Sequence, residues 1–319
     1  MSVDPVNTDK RFDIVALGEP LIEFNEIAPE QYRQGFGGDT ANFAVAAARQ
    51  GARVAYCTRV GDDGFGRKLL DLWRHEGIDT SGVQTDAAAH TGVYFVTHGV
   101  DGHAFEYLRA GSAASRMQVS DLPLEVIADT HYFHVSGISQ AISASACDAV
   151  FAAIAVARAA GARISYDPNL RLRLWSLNDA RSVVEKTIPL CDVFLPSLDE
   201  AMTLAGVSTR DAVFDWCAYC GAQQVVLKCG AEGAWVWQRL DGMARHVPGI
   251  AVQAVDATGA GDCFDGTLMT RLAAGDGLID AVRYANVAAA LSTTGYGAVA
   301  PIPDHATVLI HLANALLMV

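Results

Sequence analysis

Short runs of β-branched and aromatic residues alternate with amphipathic helical stretches along most of this chain. Residues 11–18, R-F-D-I-V-A-L-G, have the composition of a buried strand, and 41–51, A-N-F-A-V-A-A-A-R-Q-G, predict a helix that ends at Gly51. Further strands are predicted at 54–61, 131–137, 162–169, 192–197 and 224–229. Helices dominate from about Gly261 onward. This alternation predicts an α/β fold, with a mainly parallel sheet between two layers of helices and ligands at the carboxyl ends of the strands.

Two segments interrupt the alternation and predict a separate small sheet. Residues 92–109 alternate with period two around G-V-D-G at 99–102, which is a hairpin pattern, and residues 21–38 are extended and rich in glycine. Together they predict a small antiparallel β lid. Its face needs a substrate, a partner subunit or both to cover it. The expected bounds are 21–38 and 92–112 for the lid, and 11–20, 39–91 and 113–319 for the α/β core.

Charge and composition exclude several classes of protein. The net charge of −13 over 319 residues disfavours nonspecific binding to nucleic acid or to anionic membranes. The longest apolar run, 149–157, is far shorter than the ~20 residues that span a bilayer. The polar first residues, 1–11, lack the apolar region of a signal peptide and are expected to fray. Seven scattered cysteines fit a reducing compartment, so a cytoplasmic location is expected.

Two glycine-rich stretches could be taken for phosphate loops. In V-G-D-D-G-F-G-R-K, residues 60–68, no Ser or Thr follows Lys68, so the P-loop pattern fails and a turn leading into a helix is expected. In D-A-T-G-A-G-D-C-F-D-G, residues 256–266, three small residues precede a stretch with helical periodicity. Their N–H groups could bind an anion at a helix N-terminus, or the stretch could be a turn in which Asp262 is the N-cap.

The same stretch closely resembles the C-terminal signature of the ribokinase-like, or PfkB-type, sugar kinases. Residues 35–66, which begin G-F-G-G-D-T-A-N, resemble the N-terminal signature of that family. The two signatures stand in the family's order, and the resemblance extends from about Phe12 to the end of the chain. The resemblance therefore implies a ribokinase-like fold and an ATP-dependent sugar kinase.

The resemblance also implies roles in phosphoryl transfer. Asp262 would be the general base, and the N–H groups of Gly259, Ala260 and Gly261 would stabilise the transferred phosphoryl group. Mg²⁺ would bridge the phosphates, largely through water. Asp256 and Thr258 match positions that often hold K⁺ in the family, which commonly has Thr where this chain has Ala257; the alternative for Asp256 is a carboxylate that caps N–H groups of its own loop.

For the nucleotide, Ser197 and Glu200 match the family's Asn-x-x-Glu element, with Ser in place of Asn. Lys228 and Gly230 match the segment along the ATP phosphates and ribose, and Asn286 matches the adenine side. The alternative for Lys228 is a solvated lysine at a strand end.

For the sugar, G-F-G-G-D-T-A-N and F-E-Y-L-R-A-G-S-A-A-S at 105–115 resemble the 2-keto-3-deoxygluconate kinases within the family, whereas 167–175 is shared with fructokinases. A sugar acid suits arginine, whose planar guanidinium binds carboxylates in a fork. The expected sugar-binding residues are Gly38, Asn42, Tyr94, Tyr107, Arg109, Arg171 and Asp262. The alternatives are surface ion pairs for the arginines and hairpin packing for Tyr94.

Other functions remain as alternatives. C-A-Y-C at 217–220 has no second cysteine pair and falls in a helical stretch, so core packing is preferred over a metal or redox site. A fructokinase, or a sugar sensor without catalysis on the same fold, are the other candidates. The resemblance further implies a homo-oligomer formed through the β lid.

Overall fold

The computed structural model describes residues 10–99 and 102–317, so residues 1–9 and the predicted hairpin turn at Val100 and Asp101 lie outside the described residues. The described strands are β1 Phe12–Leu17, β2 Leu21–Ala28, β3 Gln31–Gly37, β4 Val54–Gly61, β5 Val83–Asp86, β6 Val93–Gly99, β7 Gly102–Leu108, β8 Thr130–Ser136, β9 Arg163–Asp167, β10 Val193–Phe194, β11 Gln224–Lys228, β12 Gly233–Gln238 and β13 Ala244–Pro248. The described helices are α1 Asp39–Arg49, α2 Gly64–His75, α3 Leu124–Ala128, α4 Gly137–Ala141, α5 Ala144–Ala159, α6 Leu177–Thr187, α7 Leu198–Ala205, α8 Arg210–Tyr219, α9 Ala260–Ala273, α10 Leu278–Ser292 and α11 His305–Leu317.

Nine strands form the large sheet, in the order β13-β12-β11-β10-β9-β8-β1-β4-β5. The pairings from β11 to β5 are parallel, whereas β12 and β13 are antiparallel to their neighbours. The predicted mainly parallel α/β sheet is confirmed. Strands β12 and β13 were not predicted, although the alternation A-W-V-W-Q could have indicated the first of them.

Helices cover both faces of this sheet and bury its apolar side chains. On one face α1 packs against β1 and β4, α9 packs against β1, and α10 packs against β12 and β13, with Phe43 and Leu268 in the core. On the other face α5 packs against β8 and β9, and α6 packs beside α4 and α7, with Ile154 and Val184 buried. Gly266 lies directly against the backbone oxygen of Phe43, so α1 and α9 approach closely and their N-termini open on one side of the sheet.

The small sheet has the order β3-β2-β6-β7. Each of its two hairpins is antiparallel, and the pair that joins them, β2 and β6, is parallel. The register aligns Gly35, Glu23, Tyr94 and Tyr107 across the four strands, so these residues share one face. The domain bounds given above stay a prediction.

The glycine-rich stretch 60–68 and the cysteine pair at 217–220 have the structures that the sequence predicted. Asp63 caps α2, and its Oδ1 accepts from the N–H groups of Phe65 at 2.9 Å and Gly66 at 2.7 Å, so the P-loop-like stretch is a turn that starts a helix. Cys217 is buried in α8 and Cys220 ends it, and all seven cysteines are free thiols. Among the described helices, none is long and apolar enough to cross a bilayer.

Candidate active site

The two sequence signatures meet where α1 and α9 begin. Asn42 lies in the first turn of α1, and its Nδ2 donates to Oδ2 of Asp262 in the first turn of α9 at 2.8 Å. The N-cap of α9 is Gly259 at φ 75°, so the alternative of Asp262 as N-cap is wrong. The Asp262 carboxylate is instead available to a ligand at this helix end.

Burial raises the pKa of Asp262 to about 8, and the nearby carboxylate of Asp39 adds to the effect. The hydrogen bond from Asn42 and the charge of Lys228 act in the opposite direction. A carboxyl group with a pKa near neutrality can both accept and release a proton under ordinary conditions, as a general base requires.

Asp39 is a site residue that sequence reasoning missed. It is the first residue of α1, it is buried, and its Oδ1 accepts from the N–H of Thr40 at 2.8 Å. Its Oδ2 accepts from Nδ2 of Asn169 at 3.0 Å. Asn169 stands at φ 34°, which non-glycine residues rarely adopt, and its N–H donates to Oδ1 of Asp167 at 3.0 Å. A sequence signal for its partner Asn169 was present in the D-P-N stretch at 167–169, which stands at the end of a buried strand.

Lys228 lies at the end of β11, and its position differs from that of a solvated lysine. Only 12% of its side chain is exposed, and Nζ donates to Asp167 at 2.9 Å and to Asp265 at 2.8 Å. The solvated alternative is therefore wrong. The two carboxylates outweigh burial and raise the pKa of Lys228. Its ammonium group is charged and already bonded to protein carboxylates, so its predicted contact with ATP phosphates stays a prediction.

The other predicted nucleotide residues lie around the ends of β11 and β10. Ser197 caps α7 and pairs by its backbone with Lys228, and Glu200 in α7 lies 3.3 Å from Nη1 of Arg171. Gly230, at φ 56°, begins a short turn after β11. Asn286 in α10 donates through Nδ2 to the backbone oxygens of Val247 and Pro248, at 3.0 and 3.1 Å, so its amide fastens β13 to α10.

Arg109 follows the last lid strand and forms a buried ion pair with Glu19. Its Nε donates to Oε2 of Glu19 at 2.7 Å, and Ser112 donates to Oε1 at 2.7 Å. The alternative interpretation of Arg109 was a surface ion pair. Arg109 does form an ion pair, but both members of that pair are buried. One edge of the guanidinium is bound to Glu19. By contrast Arg171 is half exposed, and its closest carboxylate is that of Glu200.

The two lid tyrosines lie side by side, with ring centroids 5.7 Å apart. Tyr94 is buried and its hydroxyl donates to the carboxylate of Glu23, whereas Tyr107 is 38% exposed. A Cβ on Gly37 would lie 2.5 Å from the Tyr94 hydroxyl, so this glycine leaves room for the tyrosine. Packing within the lid accounts for the position of Tyr94, and its predicted contact with the sugar stays a prediction.

Gly38, the N-cap of α1, has φ 97°, and a Cβ there would collide with the backbone oxygen of Glu19. Only glycine fits this position without strain. Its own carbonyl oxygen accepts from the N–H of Asn42 at 2.8 Å, which fixes the turn that carries Asn42 toward Asp262.

Asp256 connects two loops behind the glycine turn. Its Oδ1 accepts from N and Oγ1 of Thr258, at 2.9 and 2.6 Å, and its Oδ2 accepts from the N–H of Gly297 at 2.9 Å. These are the contacts of a loop-capping carboxylate, the alternative that the sequence had left open. Within the described residues, no cluster of three or more His, Cys, Asp or Glu side chains is arranged to hold a metal ion.

A cavity of about 720 Å³ lies beside this site, between the lid and the segment 296–300. Its wall includes Glu23, Gly35 and Tyr296, but none of the predicted sugar or phosphate residues. This cavity is therefore separate from the predicted site residues at the N-termini of α1 and α9.

The chain is similar to known carbohydrate kinases over nearly its whole length. The model of the pfkB family carbohydrate kinases matches residues 11–305. A 2-dehydro-3-deoxygluconokinase from Thermoproteus tenax is 35% identical and covers 89% of this chain and 88% of its own. Fructokinase-1 of Zea mays is 33% identical and covers 93% and 96%. The structure of a Vibrio cholerae fructokinase with fructose, ADP and calcium bound is 31% identical, has a TM-score of 0.86, and covers 94% and 99%.

Proposed function

This chain belongs to the pfkB family of carbohydrate kinases, and from that premise we propose that it phosphorylates 2-keto-3-deoxygluconate to 2-keto-3-deoxy-6-phosphogluconate with ATP. The observation that carries the kinase chemistry is Asp262, held by Asn42 at the start of α9, directly after the turn of Gly259, Ala260 and Gly261. A base aimed from a helix end beside a glycine turn suits phosphoryl transfer better than simple binding, which disfavours a sugar sensor without catalysis.

In the proposed reaction, Asp262 accepts the proton of the sugar hydroxyl while the hydroxyl oxygen bonds to the γ-phosphorus of ATP. The bond from that phosphorus to the oxygen bridging to the β-phosphate breaks, and ADP leaves. The N–H groups of Gly259, Ala260 and Gly261 stabilise the charge on the transferred group. Positioning of the base contributes roughly 10²–10⁴-fold to the rate.

The nucleotide is proposed to bind along Ser197, Glu200, Lys228, Gly230 and Asn286. Mg²⁺ prefers a few carboxylates and water, and Glu200, which is partly exposed beside Asp167, suits that preference. When bound, Mg²⁺ would neutralise phosphate charge. Asp256 and Thr258 could coordinate K⁺ only through oxygens that already form hydrogen bonds with N–H and O–H groups of their loops.

The sugar acid is favoured by Arg109 and Arg171, since each can present guanidinium N–H groups to a carboxylate. Glu19 accepts from Nε and Nη2 of Arg109, so the opposite edge of the guanidinium is the part proposed to bind the carboxylate. A matching 2-dehydro-3-deoxygluconokinase supports this substrate. Fructose is the second candidate, because a fructokinase matches an even larger share of the chain.

Release of ADP in a coupled assay tests this proposal across 2-keto-3-deoxygluconate, fructose and ribose. We expect the highest kcat/KM on the sugar acid. Arg109→Ala should lower kcat/KM on the sugar acid far more than on fructose, because fructose has no carboxylate. A higher kcat/KM on fructose would overturn the substrate, and an absence of sugar-dependent ADP release would overturn the kinase.

The β lid is further proposed to join two copies of the chain in the cytoplasm. The exposed side chains of Tyr32, Tyr107 and Leu108 on the lid sheet support this proposal, since a partner could cover them. Light scattering of wild type and Leu108→Glu would test it, and a wild type that is monomeric at all concentrations would contradict it.

A further inference from the structure

Three buried charged side chains meet behind the proposed transfer loop. Nζ of Lys228 lies 2.8 Å from Oδ2 of Asp265 and 2.9 Å from Oδ2 of Asp167. The exposed fractions of their side chains are 12%, 1% and 7%, respectively. Ions withdrawn from water in this way are costly unless they are paired, so each holds the others in place.

The ammonium group also lies against the transfer loop. A Cβ placed on Gly261 would be 3.6 Å from Nζ of Lys228, which is ordinary van der Waals contact. Asp265 stands one helical turn after Asp262 on α9, and so it fastens Lys228 to the same helix that carries the proposed base.

The surroundings shift the pKa values of the two carboxyl groups in opposite directions. Burial raises the pKa of Asp265 well above its ordinary value, and the neighbouring Asp167 adds to that effect. The pKa of Asp167 is lowered despite its burial, because the positive charge of Lys228 lies beside it and Lys228 donates a hydrogen bond to it. Lys228 therefore stabilises the ionised form of Asp167, whereas burial disfavours the ionised form of Asp265. Oδ1 of Asp265 has no hydrogen-bond partner among the described residues.

We propose that Asp265 is a positioning residue, which holds the ammonium group of Lys228 behind Gly261 as a fixed positive charge for the phosphoryl group in transit. The proposal rests on the kinase function proposed above. A fixed charge of this kind stabilises the transition state without reorganising during the reaction. Lys228 would then act from behind the loop, where Asp167 and Asp265 prevent it from moving with the nucleotide.

Steady-state kinetics of Asp265→Ala, Asp265→Asn and Lys228→Met test the catalytic part of the proposal. Asp265→Ala and Lys228→Met should each lower kcat by about 10- to 100-fold, with KM for the sugar nearly unchanged. Asp265→Asn keeps an oxygen that can accept from Lys228, so it should stay within about threefold of wild type. Asp280→Ala removes an exposed carboxylate from α10 and is the matched control.

Labelling of Lys228 tests the positioning without using activity. Acetylation by an amine-reactive ester, followed by peptide mapping, should leave Lys228 protected in wild type and Asp265→Asn but at least ~10-fold more reactive in Asp265→Ala. Thermal melting and circular dichroism report whether each variant folds. If Asp265→Ala does not fold, the kcat of Lys228→Met is the test, and a normal kcat in that variant would overturn the proposal.

The outcomes separate the two proposals. Unchanged protection of Lys228 in folded Asp265→Ala would overturn the positioning role, and so would loss of protection with a normal kcat. Equal losses of kcat in Asp265→Asn and Asp265→Ala would also overturn it. A wild-type protein without sugar-dependent turnover would instead overturn the proposed function, whatever the labelling shows.

Discussion

The side-chain amide of Asn42 donates a hydrogen bond of 2.8 Å to the carboxylate of Asp262, although 220 residues separate the two in the chain. The bond fastens the N-terminus of α1 to that of α9. It also stabilises the ionised form of Asp262 and so opposes the effect of burial. Oδ1 of the same amide has no partner among the described residues and is buried, which suits a contact with a ligand hydroxyl.

Asn42→Ala is expected to raise the pKa of Asp262, because the carboxylate loses a hydrogen bond that favours its charged form. The acidic limb of the kcat/KM profile should therefore move to higher pH, and KM for the sugar should rise. Asn178→Ala, which removes an exposed amide at the start of α6, is the control. A profile identical to that of wild type would contradict a role of Asn42 in tuning the base.

The proposed base sets the pH dependence of the wild type. The pKa of Asp262 is raised to about 8, so the free enzyme holds this group protonated below that pH and ionised above it. We expect kcat/KM to rise about tenfold per pH unit on the acidic side and to level off above pH ~8. Asp262→Asn should show turnover lower by orders of magnitude and no such limb. A wild-type profile that is flat from pH 6 to 9 would refute this assignment.

The same shift predicts how Asp262 affects stability. Since its pKa is raised in the folded protein, folding favours the protonated form, and that advantage disappears as the pH rises from ~4 toward 8. Asp262→Asn should therefore melt at a higher temperature than wild type, by a margin that grows across this window. Asp71→Asn, on the exposed side of α2, should show no growing margin. Calorimetry at a series of pH values measures the difference.

The buried pair of Arg109 and Glu19 should be costly to break. Glu19→Ala leaves a buried guanidinium without its partner, so we expect the free energy of unfolding to fall by about 3–5 kcal/mol. Asp13→Ala breaks a more exposed pair with Arg53 and should cost less than about 1 kcal/mol. Urea denaturation measures both. Similar losses for the two variants would show that the Glu19 pair is not specially important.

Gly259 is needed both for its backbone angle and for its lack of a side chain. At φ 75° a Cβ would lie 3.0 Å from both the Cβ and the backbone oxygen of Ala298, so alanine there should displace the loop. Gly259→Ala should lower kcat by about 10²-fold, as loss of an oxyanion donor does. Gly242→Ala has φ 65° but open space around it, and should cost about 1 kcal/mol of stability with kcat unchanged. Equal kcat values in the two variants would contradict this prediction.

The sequence predicted the elements that depend on local pattern. The alternation of strands and helices gave the mainly parallel sheet, the hairpin pattern gave β6 and β7, and Asp63 was expected at a turn that starts a helix. Strands β12 and β13 were missed: β12 carries the alternation A-W-V-W-Q, whereas β13, at the edge of the sheet, is short and has no clear periodicity. Local sequence pattern could not predict the parallel pairing of β2 with β6 either, because packing decides the register between distant segments.

In the candidate site, too, some residues were predicted from the sequence, whereas their partners are shown only by the structure. The two glycine-rich signatures led to the predicted roles of Asp262 and Asn42, because each signature is a run of contiguous residues, and the structure brings these two side chains into contact. Lys228 was predicted as a phosphate ligand, yet its present partners, Asp167 and Asp265, come from β9 and α9. Glu19 likewise binds Arg109, which follows it by 90 residues.

The sequence by itself determined the fold class, the alternation of strands and helices and the loop on which the chemistry is proposed to occur, because these depend on neighbouring residues. Only the tertiary structure decided which charges are buried together and in which direction the pKa of each carboxyl group is shifted. Burial and pairing depend on helix packing, such as the close approach of α1 and α9 at Gly266. In the low dielectric of that interior, a contact of 2.8 Å between distant residues shifts the pKa of each.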